Sequence, residues 1–116
     1  MDFRKQKPIY LQIADHLSEQ VLQGALTPDD RMPSVRDVAA SMGVNPNTVV
    51  RSFDYLQQEE IIYNRRGVGY FVGLDAKEKI LALQRREFLE EDLPVIKQKM
   101  RQLGISIDEL TLDDVI

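Results

Sequence analysis

The chain has 116 residues, enough for one ordinary domain or a small domain with an appendage. That excludes most enzymes built on barrels or doubly wound sheets, which need about 200 residues or more. With 43% hydrophobic and 29% charged residues it is an ordinary soluble globular mixture. The absence of cysteine removes disulfide frameworks and thiolate zinc sites, and the single His16 cannot form a histidine cluster. The net charge of −4 weighs against a nucleic-acid partner taken alone, but it is uneven. Residues 1–73 hold eight Lys/Arg against nine Asp/Glu, and residues 74–116 hold seven against ten, so most of the acidity lies in the tail.

The opening, Met1 to Pro8, carries no apolar stretch of the kind a signal peptide needs, and no apolar run approaches the roughly 18 residues of a membrane span. A cytoplasmic setting is expected. From Pro8 to Gln23, Ile9, Ile13, Leu17 and Val21 recur every fourth position, which predicts an amphipathic helix closed by Gly24. Leu26 to Met32, broken by Pro28 and Asp29, reads as a brief edge strand. Ser34 and Asp37 have capping-box spacing, and Val35, Val38, Ala39 and Met42 give a two-turn helix one apolar face. Gly43 ends that helix, and Val44 is expected to be buried in the turn. Asn45-Pro46 then opens a second helix with Val49, Phe53 and Leu56 inward and Val50 beside them. Two helices joined by so short a glycine-bearing turn form a helix-turn-helix. Ile61–Asn64 and Tyr70–Val72, flanking Arg65-Arg66-Gly67-Val68-Gly69, predict a hairpin. This order is that of a winged helix, with the hairpin as the wing.

The tail reads as helix. Asp75 caps a segment with Ile80, Leu81, Leu83 and Phe88, and Leu89, Leu93, Ile96, Met100 and Leu103 follow in phase across Pro94, predicting a kinked or broken helix. Gly104 suits a Schellman end, and Ser106 with Glu109 a capping box for a last turn. The fold class expected is α+β: a winged helix-turn-helix domain over residues 1–73 and a helical dimerisation region over 74–116.

Four segments, Pro8–Ile13, Met32–Ala39, Gly43–Val49 and Gly67–Val72, resemble the GntR family of bacterial transcription regulators in order and spacing. The short tail is similar to the YtrA branch, in which such a tail serves dimerisation and leaves no room for a classical effector domain. The resemblance implies a sequence-specific DNA-binding regulator, by default a repressor, that binds a pseudo-palindromic operator as a homodimer. Two positions depart from the family pattern: Asp29 stands where glycine is common, and Val68 stands at the wing tip where Lys or another polar residue is common. The second departure shifts the wing's burden to Arg65 and Arg66.

Reading duplex DNA needs a helix end in the major groove and cations against phosphate. Asn45, Asn47 and Thr48 in the first turn of the second helix are short and polar, with Asn45 chiefly a cap, and Arg51 follows one turn on. Ser34 and Arg36 open the preceding helix, and the resemblance assigns the Arg36 counterpart an operator contact. Arg65, Arg66 and Gly69 complete the candidate DNA-binding set, Gly67 and Gly69 first answering the geometry of a tight loop. Leu81, Phe88, Leu89, Leu93, Ile96, Met100 and Leu103 are the candidate dimerisation residues. Tyr10, Tyr55 and Tyr63 are expected to be core or half-buried aromatics, His16 a helix-surface residue, and Glu90-Glu91-Asp92 a solvated run. No cofactor, metal site or membrane partner is implied, and the sequence names no effector. An enzyme has no support, since no nucleophile–base pair, metal set or phosphate loop is present. The rival reading, favoured by the net negative charge, is a winged helix used for protein interaction alone.

Overall fold

The computed structural model describes residues 7–110; the opening stretch expected to lack a leader, and both outer ends of the expected domains, lie partly outside them. The described residues form two compact units, 7–84 and 85–110. The first begins with α1 (Ile9–Leu22), whose N-cap is Pro8. Ile13, Leu17 and Val21 of the four-residue series bury its inner face with Ala14, but Ile9, the first of the series, is 57% exposed in the first turn. Val49, Phe53 and Leu56 of α3 (Pro46–Gln58) join them in the core.

Between these helices lies α2 (Val35–Met42). Ser34 Oγ accepts the Asp37 N–H at 3.0 Å and satisfies one of the free donors of its first turn. Gly43 ends α2 at φ 66°, and the Val44 N–H reaches back to Ala39 O at 3.1 Å, so the chain reverses into α3 with its last carbonyls satisfied. Asn45 Oδ1 caps α3 by accepting the Asn47 N–H at 2.8 Å, with Pro46 in the first turn. The wing follows as β1 (Ile62–Arg65) and β2 (Gly69–Val72), antiparallel, with Arg65 opposite Gly69 and Ile62 opposite Val72.

Four further local expectations change. Residues 26–32 form no strand: only Arg31 bridges to Phe71. The segment still runs along β2, through bonds from Asp29 N to Val72 O, Val72 N to Asp30 O and Met32 N to Tyr70 O. Asp29, at φ 67°, turns the backbone out of extended geometry and stops a longer ladder. The neighbouring Asp30 is tied into the turn, where hydrogen bonds from the Thr27 N–H and hydroxyl hold its carboxyl below the ordinary value. Val44 is only partly buried, Met42 lies at the exposed rim, and Val50 faces outward, 41% exposed. A single residue step of about 100° along the helix carries Val50 off the face that Val49 buries.

The helix α4 (Ala76–Glu87) starts in the first unit, where Ala76 and Ile80 are buried in the same core. The Lys79 ammonium bonds Glu60 Oε2 at 2.8 Å, and that bond holds the Glu60 carboxyl below its ordinary value. In the second unit the helical path continues through a wide π-turn, Phe88–Asp92, into α5 (Leu93–Leu103). The wider turn follows from chemistry: Pro94 has no N–H to give the preceding turn, and the Leu93 N–H bonds Phe88 O, five residues back. The break expected near Pro94 is this turn. Gly104 closes α5 with the Ile105 N–H on Met100 O at 2.9 Å, and Glu109 accepts the Ser106 N–H at 2.7 Å before a short 3₁₀ turn.

Candidate nucleic-acid interface

The outward face of α3 carries Asn47, Val50, Arg51 and Asp54, all exposed and spaced as one helical stripe. Thr48 is half-buried beside it, and its carbonyl accepts the Ser52 hydroxyl at 3.1 Å. Asn45 is occupied as a cap, as expected. Ser34 and Arg36 lie exposed at the start of α2, with Ser34 Oγ engaged by Asp37.

Arg51 does not extend freely into solvent. Its guanidinium carbon sits 4.0 Å from the ring centroid of Tyr10, on the first turn of α1. Tyr10 is itself fixed twice: Tyr55 meets it edge-on at 6.4 Å, and the buried Ser52 donates its hydroxyl to the Tyr10 carbonyl at 2.7 Å. A cation over an aromatic face is held by the ring quadrupole, so α1 presets the direction of this arginine. The pairing joins positions far apart in the chain, and periodicity gave Tyr10 no role beyond packing.

On the wing, Arg65 lies over Phe71 at 4.3 Å, and its Nη2 donates to the Tyr63 hydroxyl at 3.2 Å. Tyr63 stacks on Phe71 at 5.8 Å and donates its own proton to Asp29 Oδ1 at 2.8 Å. The left-handed Asp29 that replaces a common glycine therefore anchors this row of side chains. Arg66 is exposed at the loop. Gly69 has φ 143°, and a Cβ there would stand 3.2 Å from Arg31 Nε. Arg31 is the residue that sequence reasoning missed: its Nη2 donates to Val68 O at 2.7 Å, at the tip of the wing. Only its position before Met32-Pro33-Ser34 could have marked it.

In the second unit, Phe88, Leu89 and Leu103 are exposed, while Leu93, Ile96 and Met100 are half-covered. Leu81, in the first unit, is also exposed. No residue of α5 is buried. Among the described residues no cluster of His, Cys, Asp or Glu could hold a metal ion, and no helix is long and apolar enough to cross a membrane.

A helix-turn-helix with a two-stranded wing, presenting polar and cationic side chains on its second helix and its hairpin, defines a winged-helix protein of the DNA-binding class. Residues 9–72 match the model of the bacterial regulatory proteins of the gntR family, and the chain belongs to that family. It is 35% identical over 108 residues to the HTH-type transcriptional regulator YhcF of Bacillus subtilis (strain 168), covering 93% of this chain and 88% of that one. It is also 35% identical to the HTH-type transcriptional repressor YtrA of the same organism, over 90% of this chain and 75% of that one. Among solved structures, a GntR-family regulator from Bacteroides thetaiotaomicron superposes with a TM-score of 0.76 at 45% identity, covering 88% of each chain. These likenesses, which run through the tail, set the chain in the YtrA subfamily. It is a transcriptional regulator with a DNA-binding domain.

Proposed function

We propose that this regulator is a repressor that binds a pseudo-palindromic operator as a homodimer in the cytoplasm. In this reading residues 1–73 meet the DNA and residues 74–116 make the dimer. The observation that carries it is the exposed α3 stripe, where Asn47 stands one turn before an Arg51 already aimed by Tyr10. Asparagine offers paired contacts to adenine, Thr48 can meet a base edge or a thymine methyl, and Arg51 neutralises phosphate. Ser34 and Arg36 face the backbone of the duplex, and Arg65, Arg66 and Gly69 serve the wing.

The test is selection of duplexes from a random pool, followed by titration of the chosen site at several salt concentrations. Asn47→Ala or Thr48→Ala should cost about 1–3 kcal/mol on the chosen site and little on random DNA. Arg51→Ala should weaken both alike and lower the salt slope by about one. Equal losses on both DNAs for Asn47→Ala and Thr48→Ala would remove their role as base readers.

Tyr10 gives a second check. Tyr10→Leu should release Arg51 and weaken operator binding about fivefold, near the 1 kcal/mol of an exposed cation–π pair. Tyr10→Phe keeps the ring and should bind as wild type. In an Arg51→Ala background Tyr10→Leu should add nothing, and an additive loss would mean that Tyr10 acts elsewhere.

A further inference from the structure

The wing tip has a cation that does not belong to the wing. Val68, on the far side of the turn from Arg65 and Arg66, is apolar, so the β2 side of the tip has no charge of its own. Residues 29–32 run beside β2, and from this strip Arg31 reaches across to the tip, where it donates to Val68 O at 2.7 Å. Its guanidinium lies against the α-carbon of Gly69: an added Cβ would come within 3.2 Å of Nε and 3.4 Å of Nη2. Glycine at this position leaves the space that the guanidinium fills. The adjoining acids are engaged elsewhere, Asp30 by Thr27 and Asp29 by Tyr63. Arg31 is exposed, and the bond to a neutral carbonyl uses one of its five donors while leaving its charge intact.

We propose that Arg31 is a further phosphate contact of the wing, beside Arg65 and Arg66: a side chain from the strip before α2 is laid along the hairpin so that its charge stands on the β2 side of the tip, where the turn has Val68. The ligand is a phosphodiester of the duplex backbone. The assignment rests on the DNA-binding reading above and adds to it a contacting residue outside the recognition helix and outside the wing. It also gives Gly69 a role as the seat of Arg31. A guanidinium carries donors enough to hold the Val68 carbonyl and a phosphate oxygen at once.

The experiment compares full-length wild type, Arg31→Ala, Val68→Lys and the double variant on the selected duplex across a range of salt, with thermal melts as a check of folding. Arg31→Ala should bind about tenfold more weakly, with a salt slope shallower by about one, because one fewer phosphate is neutralised. Adding Val68→Lys to Arg31→Ala returns a cation to the tip without the clamp and should restore most of the slope. Wild-type affinity for Arg31→Ala overturns the assignment. So does a loss of affinity at unchanged slope that Val68→Lys does not rescue, which would make Arg31 a structural clamp only. A wild-type chain that retains no duplex overturns both this assignment and the DNA-binding reading, whereas Arg31→Ala matching a wild type that binds overturns this assignment alone.

Discussion

Ile96→Asp is expected to turn a dimer into monomers and to lower operator affinity by about 100-fold or more, the scale on which two linked half-site contacts exceed one. The tail unit has no interior of its own. Phe88 is 43% exposed, Leu89 47% and Leu103 61%, and no residue of α5 is buried. Leu93, Ile96 and Met100 lie half-covered along the same helical series. An apolar surface of this kind is seldom left open to water, and a twofold pairing covers both copies with one self-complementary patch. That symmetry is also the symmetry of a palindromic operator. A carboxylate at position 96 would have to be desolvated without a partner, a cost that dissociates the pair. Gln98→Asp, at an exposed position of the same helix, should leave the dimer intact. Light scattering reads the mass and a titration reads the affinity. A monomeric wild type, or an Ile96→Asp monomer that binds the operator undiminished, would show that the tail does not make the binding unit.

Much of the winged helix was legible because its signals are local. Ser34, Gly43 and Asn45 cap and stop helices through bonds that span at most five residues, and the sequence carries such bonds as fixed spacings. The exposed placement of Asn47 and Arg51 followed from the same helical period. Legibility failed where a residue's role depends on what comes near it from another part of the chain. Arg31 reaches Val68 and Arg51 reaches Tyr10 through long, flexible side chains whose direction tertiary structure decides. Val50 misled for a different reason: its apolarity suggested burial, but the helix turns it outward. Glu60 stands at φ 61° where a helix end would ordinarily take glycine, so the turn between α3 and β1 carried no sequence mark. The Ile61 N–H still closes that helix by bonding Leu56 O at 2.9 Å. The π-turn was half legible, since Pro94 marks a disturbance without saying that the helix widens rather than bends.

Phe53→Ala is expected to cost about 3–5 kcal/mol of stability, the range for emptying a buried aromatic site. Phe53 is 1% exposed, and its ring meets Tyr70 of β2 edge-on at 5.1 Å. One side chain therefore joins α3 to the wing, and Ile13, Leu17 and Val49 of the same core cannot move into the space without leaving their own contacts. For a small domain of ordinary stability, about 5–15 kcal/mol, the loss is a large fraction of the total and should lower Tm by about 12 °C or more. Phe53→Leu retains most of the volume and should cost much less. Because Phe53 is buried and offers no surface to DNA, the Ala variant held well below its lowered Tm should bind operator with the wild-type salt slope. A normal melt for Phe53→Ala would deny that this ring holds helix and wing together.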